Sequence, residues 1–353
     1  VMVDKMNICF CGHFTGGGTE RATFLLANQL IKLYKINIIS TDSNPPFFYL
    51  DKRIKYDHLH EKSLLGKNIE LAKYLKAEKI DILISVEAMT GLYSIFATKI
   101  IGCKHIIWEH ANFFQTQGSK HIRKVRKLEL LLADYYLVLT KRDLKNFTDN
   151  YYHRCPIDYV YNIAEDVDNP IYNIESKTIV SVGVVRDIKN FLIIPELAKE
   201  IFDKNPDWKW EIYGIAKGNY ALKLQEKIEE MNLSDKVLMC GQSSDIETVY
   251  KNAAIYVMTS KNEGLPMVLL EAKMHGLPMV SFDIETGPDE IISDNVDGFL
   301  IPYDDKKMMI NKILYLIENP DKRKEMSSMC RMTRNLFSEK EVSDKWRRII
   351  NDL

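Results

Sequence analysis

Two glutamates flank a predicted helix start in the stretch from Asn262 to Asp283, NEGLPMVLLEAKMHGLPMVSFD. Proline has no amide proton and a fixed φ, so Pro266 suits the first helical position and a helix should begin there, while Gly276 suits its end. The first amides of a helix have no partner within it and carry a partial positive charge, which favours a bound phosphate. The sequence therefore predicts a short, largely buried helix whose start binds an anion between Glu263 and Glu271.

The spacing of these glutamates, E-GLPMVLL-E followed by a Gly-x-Pro-x-Val strand, resembles the signature of retaining nucleotide-sugar glycosyltransferases of family 4, which have the GT-B fold. The resemblance implies that Glu263 is catalytic and contacts hydroxyls of the transferred sugar. It implies that Glu271 takes the ribose hydroxyls, while backbone amides of the intervening loop and helix start hold the diphosphate. The donor-binding residues of that segment are then Gly264, Leu265, Pro266, Met267 and Val268.

A second strand, glycine turn and helix begins at Thr178, and its turn GVVRDIKN resembles the family's GRxxxxKN element. The resemblance implies a catalytic role for Lys189 and a donor-binding role for Asn190. Val184 stands where the family has arginine, so we expect Arg186 to substitute for it. Cations at this turn can offset the charge of a diphosphate through charge-assisted hydrogen bonds, so transfer without a metal ion or other cofactor is expected.

A glycine loop, GGGTER, follows the first predicted strand and precedes a helix. It lacks the GxGxxG spacing of dinucleotide-binding folds, so it is weak support for a nicotinamide site. It resembles the GGxER element of family 4, which implies that Gly17 and Gly18 lie against the donor phosphates. The same resemblance implies that the loop starting at Gly241 edges the nucleotide base.

A histidine stands in the segment WEHANFF, at the end of a strand predicted over His105 to Glu109. Open α/β sheets bind ligands at the carboxyl ends of their strands, which makes His110 a candidate catalytic residue. A structural role is the alternative. The family resemblance favours the functional role, because members carry a histidine there that contacts the donor sugar.

A basic run, KHIRKVRKLELLL, comes next. Its cations are either a solvated helix face or part of an amphipathic patch, with Phe113 and Phe114, that rests on anionic lipid and holds a lipid-linked acceptor. Near such a surface each cation contributes about 1 kcal/mol. The residues assigned to this acceptor and membrane patch are Lys120, Arg123, Lys124, Arg126 and Lys127.

The length of 353 residues and the hydrophobic fraction of 46% fit two domains, and strand-like segments alternate with helical ones, which predicts parallel α/β sheets. The resemblance to family 4 implies an α/β protein of the GT-B fold, with two Rossmann-like domains facing each other across a cleft that holds the active site. Residues 1–162 form the acceptor-side domain and 163–338 the donor-nucleotide domain. By resemblance, a helix over 339–353 crosses back onto the first domain.

The net charge of −1 hides an asymmetry, since residues 1–162 carry +7 and the remainder −8. The positive charge of the first half favours an anionic membrane surface or a phosphorylated lipid as its partner. We expect no nucleic-acid partner. No apolar run reaches the roughly 20 residues that span a bilayer, and the first residues lack the form of a signal peptide. A cytoplasmic protein, peripheral on the inner face of the membrane, is expected. The six scattered cysteines indicate reduced thiols rather than disulfides or zinc.

Asp166-Val-Asp168 matches the DxD of metal-dependent GT-A enzymes, but no predicted strand precedes it, so we interpret both aspartates as solvated acids.

The function that the resemblance implies is transfer of a hexose or N-acetylhexosamine, with retention of anomeric configuration, from a UDP-sugar to a saccharide or lipid-linked acceptor. The expected setting is surface-polysaccharide or lipopolysaccharide synthesis. A UDP-sugar 2-epimerase of GT-B architecture and a non-catalytic sugar-nucleotide-binding module remain open alternatives. A phosphorylase would need a pyridoxal phosphate lysine and a far longer chain.

Overall fold

The computed structural model describes residues 5–116 and 121–353. The chain divides into two compact units. The first unit combines Val1–Ala164 with Phe337–Leu353, and the second is Glu165–Leu336. The sequence placed the boundary two residues earlier, after 162.

The first unit is built on a parallel sheet, which has seven strands within the described residues, in the order β3-β2-β1-β4-β5-β6-β7. The strands are β1 (Asn7–Gly12), β2 (Lys35–Ser40), β3 (Lys55–His58), β4 (Ile82–Val86), β5 (Lys104–Trp108), β6 (Tyr135–Val138) and β7 (Ile157–Tyr159). The helices of this part of the chain are α1 (Gly18–Leu30), α2 (Leu64–Ala77), α3 (Ala88–Ile101), α4 (Ile122–Leu132) and α5 (Lys141–Asn150). Strands β1 and β4 are buried along their whole length, which is why their sequences are mostly apolar.

The second unit is built on a parallel sheet of six strands, in the order β10-β9-β8-β11-β12-β13. These are β8 (Thr178–Val182), β9 (Lys209–Tyr213), β10 (Val237–Gly241), β11 (Ile255–Met258), β12 (Met279–Asp283) and β13 (Gly298–Pro302). Its α-helices are α6 (Ile194–Lys204), α7 (Asn219–Glu230), α8 (Ile246–Asn252), α9 (Met267–Met274), α10 (Pro288–Ile291), α11 (Lys306–Glu318) and α12 (Pro320–Thr333). Every residue of α9 except Val268 is buried, as the sequence predicts.

The last helix, α13 (Glu339–Asn351), belongs to the first unit and packs on α1. Its apolar residues recur at helical spacing, and Trp346 is fully buried against the ring of Trp108 at 5.0 Å between centroids. The predicted C-terminal helix therefore does return to the first unit. Among the described residues, we find no helix with both the length and the apolar character needed to cross a bilayer.

Candidate functional site

The loop before α9 packs against the loop that follows β12. Gly287 has φ +104, and a Cβ built on it would stand 2.7 Å from the Gly264 carbonyl oxygen and 2.6 Å from Cδ of Pro266, so only glycine fits. The Thr286 hydroxyl donates to the Glu263 carbonyl at 2.8 Å. Pro266 is the N-cap and α9 begins one residue later than predicted, a difference within the usual uncertainty of helix ends.

An ion pair forms where this loop meets the turn after β8. Lys189 Nζ donates to Glu263 Oε1 at 2.7 Å, and the two side chains are only 15% and 16% exposed. The Thr259 hydroxyl donates to the Lys189 carbonyl at 2.8 Å, which anchors the turn to the end of β11. Two residues assigned to the site from separate motifs are thus in direct contact, at the segment that leads into α9.

The residues around Lys189 take different environments. Asn190 is buried and adopts the left-handed conformation, with φ 57, at the end of the turn Asp187–Lys189. Arg186 is exposed, with extended backbone, and Val184 is 37% exposed. The predicted substitution of Arg186 for the family arginine stays a prediction.

Glu271 lies within α9 and is 7% exposed. Its Oε2 accepts a hydrogen bond from the Tyr250 hydroxyl at 2.7 Å. His275 Nδ1 donates to the Glu271 carbonyl at 2.8 Å, and burial lowers the pKa of His275, which keeps the ring neutral near pH 7. Tyr250 is not among the predicted site residues, because no local sequence pattern brings a tyrosine of α8 to a glutamate 21 residues later.

Gly241 ends β10 with φ +71, and its carbonyl accepts from the Gly214 amide at 2.8 Å. In the first unit, Gly17 is the N-cap of α1, and Gly18 is the first residue of that helix. The predicted contacts of these three glycines with nucleotide stay predictions.

His110 follows β5, and its ring lies 4.3 Å from that of Trp108. Burial lowers the pKa of His110 to about 3, so its imidazole is neutral near pH 7. Its Nε2 atom is buried and has no hydrogen-bond partner within the described residues. A neutral ring with one nitrogen that has no such partner can form a hydrogen bond with a ligand hydroxyl, and the catalytic role of His110 stays a prediction.

The prediction that Arg126 belongs to the acceptor and membrane patch is wrong, because its side chain is fully buried and cannot belong to a surface patch. Its Nε donates to Glu109 Oε2 at 2.8 Å, and its other nitrogens donate to the carbonyls of Phe113 at 2.7 Å and Asn112 at 3.0 Å. The guanidinium also lies 5.2 Å from the ring of Phe147. Arg126 therefore organises the segment that follows β5 from inside the first unit.

The other residues of the basic run differ in whether the structure describes them. Arg123, Lys124 and Lys127 are exposed on α4, whereas Lys120 lies outside the described residues. The neighbouring aromatic residues also differ. The ring of Phe113 packs on Phe147 and Tyr151, while that of Phe114 is 49% exposed.

Asp166 and Asp168 are exposed and lie in an irregular segment, not at the end of a strand. Within the described part of the chain, no group of three or more histidine, cysteine, aspartate or glutamate side chains has an arrangement that could hold a metal ion.

Residues 165–331, most of the second unit, match the family described as Glycosyl transferases group 1. Among relatives, an amylovoran biosynthesis glycosyltransferase of Erwinia amylovora is 27% identical over 98% of this chain and 99% of its own. An α-1,4-N-acetyl-D-galactosaminyltransferase of Campylobacter jejuni, named for a diphosphoundecaprenol-linked acceptor, is 25% identical over 96% of both chains. A crystal structure of Anabaena HepE with UDP superposes with a TM-score of 0.84, at 15% identity, over 99% of this chain and all of that one.

The chain has two parallel α/β units, and nearly all of it superposes on the Anabaena structure. These two observations define the GT-B fold, so the predicted fold class is confirmed. The protein is a glycosyltransferase, and its residues 165–331 are similar to the group 1 family.

Proposed function

We propose that the second unit binds a UDP-sugar and that the enzyme transfers the sugar with retention of anomeric configuration, as in family 4. The Lys189–Glu263 ion pair carries this proposal, because it sets a cation and a carboxylate beside the segment that enters α9. Glu271 would accept hydrogen bonds from the ribose hydroxyls, and the backbone amides at the start of α9 would bind the diphosphate. The UDP complex of the structurally similar Anabaena protein supports the choice of nucleotide.

The proposed transfer needs no metal ion. As the bond between the anomeric carbon and the diphosphate breaks, negative charge grows on the leaving oxygen. Lys189, Arg186 and the amides at the start of α9 would stabilise that charge. The acceptor oxygen bonds to the anomeric carbon on the face that the diphosphate leaves, and its proton passes to the departing phosphate. Glu263 would orient the sugar.

The proposed setting is bacterial surface-glycan synthesis, with a saccharide or lipid-linked saccharide as acceptor. The names of the Erwinia and Campylobacter relatives support it, since one belongs to a polysaccharide pathway and the other acts on a diphosphoundecaprenol-linked saccharide.

A screen of UDP-glucose, UDP-galactose, UDP-N-acetylglucosamine and UDP-N-acetylgalactosamine tests the proposal, by thermal shift and by hydrolysis in excess EDTA. We expect at least one donor to stabilise the protein and to be hydrolysed, and proton NMR should show the α-anomer of the sugar first. Loss of activity in EDTA, restored by manganese, would refute metal independence. Formation of a 2-epimeric UDP-sugar without acceptor would favour the epimerase alternative, and binding without turnover the non-catalytic one.

Glu271→Ala is expected to weaken UDP binding roughly 10- to 100-fold, since hydrogen bonds to a charged group contribute about 1.5–3 kcal/mol. Calorimetric titration with UDP measures this directly. Tyr250→Phe, which removes only the hydroxyl that donates to Glu271, is the matched control and should retain most of the affinity. Unchanged UDP affinity in the Glu271 variant would refute its assignment to the nucleotide.

We also propose that the first unit docks on anionic membrane through an outer helix face formed by α2, α3 and α4. Helix α3 packs against both neighbours, and the three helices expose apolar side chains interspersed with cations. Such a mixture suits the interface of an anionic bilayer, where apolar groups insert and cations meet phosphates. The exposed members of the outer helix face are Leu65, Ile69, Lys73, Lys76, Phe96, Lys99, Ile100, Arg123, Lys124, Lys127 and Leu131.

The triple variant Arg123→Glu, Lys124→Glu, Lys127→Glu should bind vesicles of phosphatidylglycerol and phosphatidylcholine at least about 100-fold more weakly than wild type, at about 1 kcal/mol per cation. Sedimentation at low salt measures it, and wild-type binding should weaken as salt rises. The control variant Lys199→Glu, Lys204→Glu, Lys223→Glu makes the same charge change on exposed positions of the second unit. Equal pelleting of both variants and wild type would reduce the basic run to a solvated helix face.

A further inference from the structure

Two buried threonines hold the main chain of the residues that form the Lys189–Glu263 ion pair. The Thr259 hydroxyl donates to the Lys189 carbonyl at 2.8 Å, and the Thr286 hydroxyl donates to the Glu263 carbonyl at 2.8 Å. Both threonines are 0% exposed. A buried hydroxyl group needs an acceptor within the protein. Each of these two finds its acceptor on one member of the ion pair, although the threonines belong to different segments of the second unit.

The two threonines follow neighbouring strands of the second sheet. Thr259 comes directly after β11 and Thr286 lies in the segment after β12, while the turn that carries Lys189 follows β8. Strand β11 lies between β8 and β12 in the sheet. Thr259 thus ties the turn after β8 to the end of the next strand, and Thr286 ties the loop after β11 to the segment after β12. The ion pair is therefore fixed to the ends of three adjacent strands.

The turn that carries Lys189 is held at its main chain and along the side-chain stem. The Lys261 amide donates to the Ile188 carbonyl at 2.8 Å. The stem of Lys189 passes over Gly183, where a Cβ would stand 3.1 Å from Lys189 Cε. The ammonium group can then move away from Glu263 mainly through a shift of the turn itself. The hydrogen bond from Thr259 opposes such a shift.

The loop that carries Glu263 is fixed by the segment after β12. Gly287 follows Thr286 directly, and a Cβ on it would stand 2.7 Å from the Gly264 carbonyl oxygen, so the absence of a side chain permits this close approach. The approach brings the Thr286 hydroxyl to the Glu263 carbonyl. A valine in place of Thr286 has no hydroxyl group, so this carbonyl would lose its donor and the loop could shift.

We propose that Thr259 and Thr286 are positioning residues for the transfer step, whose hydroxyl groups hold Lys189 and Glu263 in contact and in the orientation that the reaction uses. This rests on the proposed function, which gives the ion pair its roles at the diphosphate and the sugar. Neither threonine contacts the substrate, and each acts through the backbone of its partner. Because a displacement of about 1 Å at a reacting centre can lower a rate about 100-fold, the loss of either hydroxyl group should reduce turnover rather than binding.

Thr259→Val and Thr286→Val test this, since valine keeps the shape of threonine and lacks its hydroxyl group. Each should lower the turnover number at least about tenfold, while the KM for the UDP-sugar and the affinity for UDP stay within about threefold of wild type. Thr259→Ser and Thr286→Ser keep a hydroxyl group and should retain most of the rate. Thr98→Val, the matched control, removes a buried hydroxyl group of α3 that donates to the Ile95 carbonyl at 2.8 Å, and should leave turnover unchanged.

Double-mutant cycles separate positioning from general destabilisation. If Thr259 acts through Lys189, Thr259→Val should cause no further loss of turnover in the Lys189→Ala background. Thr286→Val should likewise cause no further loss in the Glu263→Gln background. Additive losses would overturn the inference, because the effect of a merely structural change does not depend on the side chain of the partner.

Crystal structures of the same variants report the positioning without turnover. Both valine variants should separate Lys189 Nζ from Glu263 Oε1 beyond about 3.5 Å, and both serine variants should keep the contact. An ion pair that is unchanged in the valine variants would overturn the inference, and so would wild-type turnover in them. If the valine variants break the ion pair but wild type binds and hydrolyses no UDP-sugar, the proposed function fails while the positioning of the pair stands.

Discussion

Lys189→Ala is expected to lower the turnover number of the glycosyltransferase about 100- to 1,000-fold, the loss usually seen when one fixed donor to a developing oxyanion is removed. The ammonium group is mostly buried and paired with Glu263 at 2.7 Å, so its attraction for a leaving phosphate is little screened by water. Steady-state rates with the donor identified by the UDP-sugar screen measure the effect.

A matched variant distinguishes this from a general loss of positive charge. Lys261→Ala removes a nearby lysine that pairs with the exposed Asp187 at 2.7 Å, and we expect its rate to stay within a few-fold of wild type. Glu263→Gln should also lower turnover, because the sugar loses its orienting carboxylate, while UDP binding changes less. If Lys189→Ala turned over at the wild-type rate, charge neutralisation at the diphosphate would have to come from other groups.

The second large effect concerns stability. Arg126→Met should lower the free energy of unfolding of the first unit by about 3–5 kcal/mol, because Glu109 is left as an unpaired buried charge. Two carbonyl acceptors in the segment after β5 lose their donor as well. Native-state hydrogen exchange at amides of β5 and β6 reports this locally, even if the two units unfold separately.

Two further variants test the cause. Arg126→Met with Glu109→Gln removes the stranded charge and should regain part of the lost stability. Arg123→Met, an exposed position on the same helix, should change the free energy of unfolding by less than about 0.5 kcal/mol. If Arg126→Met left exchange protection unchanged, the buried ion pair would contribute nothing to stability.

The sequence indicates the alternation of strands and helices well, because buried parallel strands are continuous apolar runs and α9 has proline near its start and glycine at its end. It could not show that Lys189 contacts Glu263, 74 residues away, since that pairing depends on how two loops meet at one sheet edge.

The error at Arg126 had a different origin. The buried positions of α4 recur at helical spacing, Ile122, Val125, Arg126, Glu129 and Leu130, so the arginine lies on the inward stripe. A local count of cations cannot distinguish the inward from the outward side chains.

The return of α13 to the first unit has a consequence for how the protein is made. Trp108 packs against Trp346, which the ribosome adds more than two hundred residues later, or roughly 10 to 50 s at about 5–20 residues per second. The second unit is one continuous stretch, Glu165–Leu336, and can fold during that interval. The first unit, although most of it precedes the second unit in the sequence, is completed after the second, and until then it exposes the surface that α13 covers. Nascent chains stalled before α13 should therefore be the species that chaperones and proteases recognise.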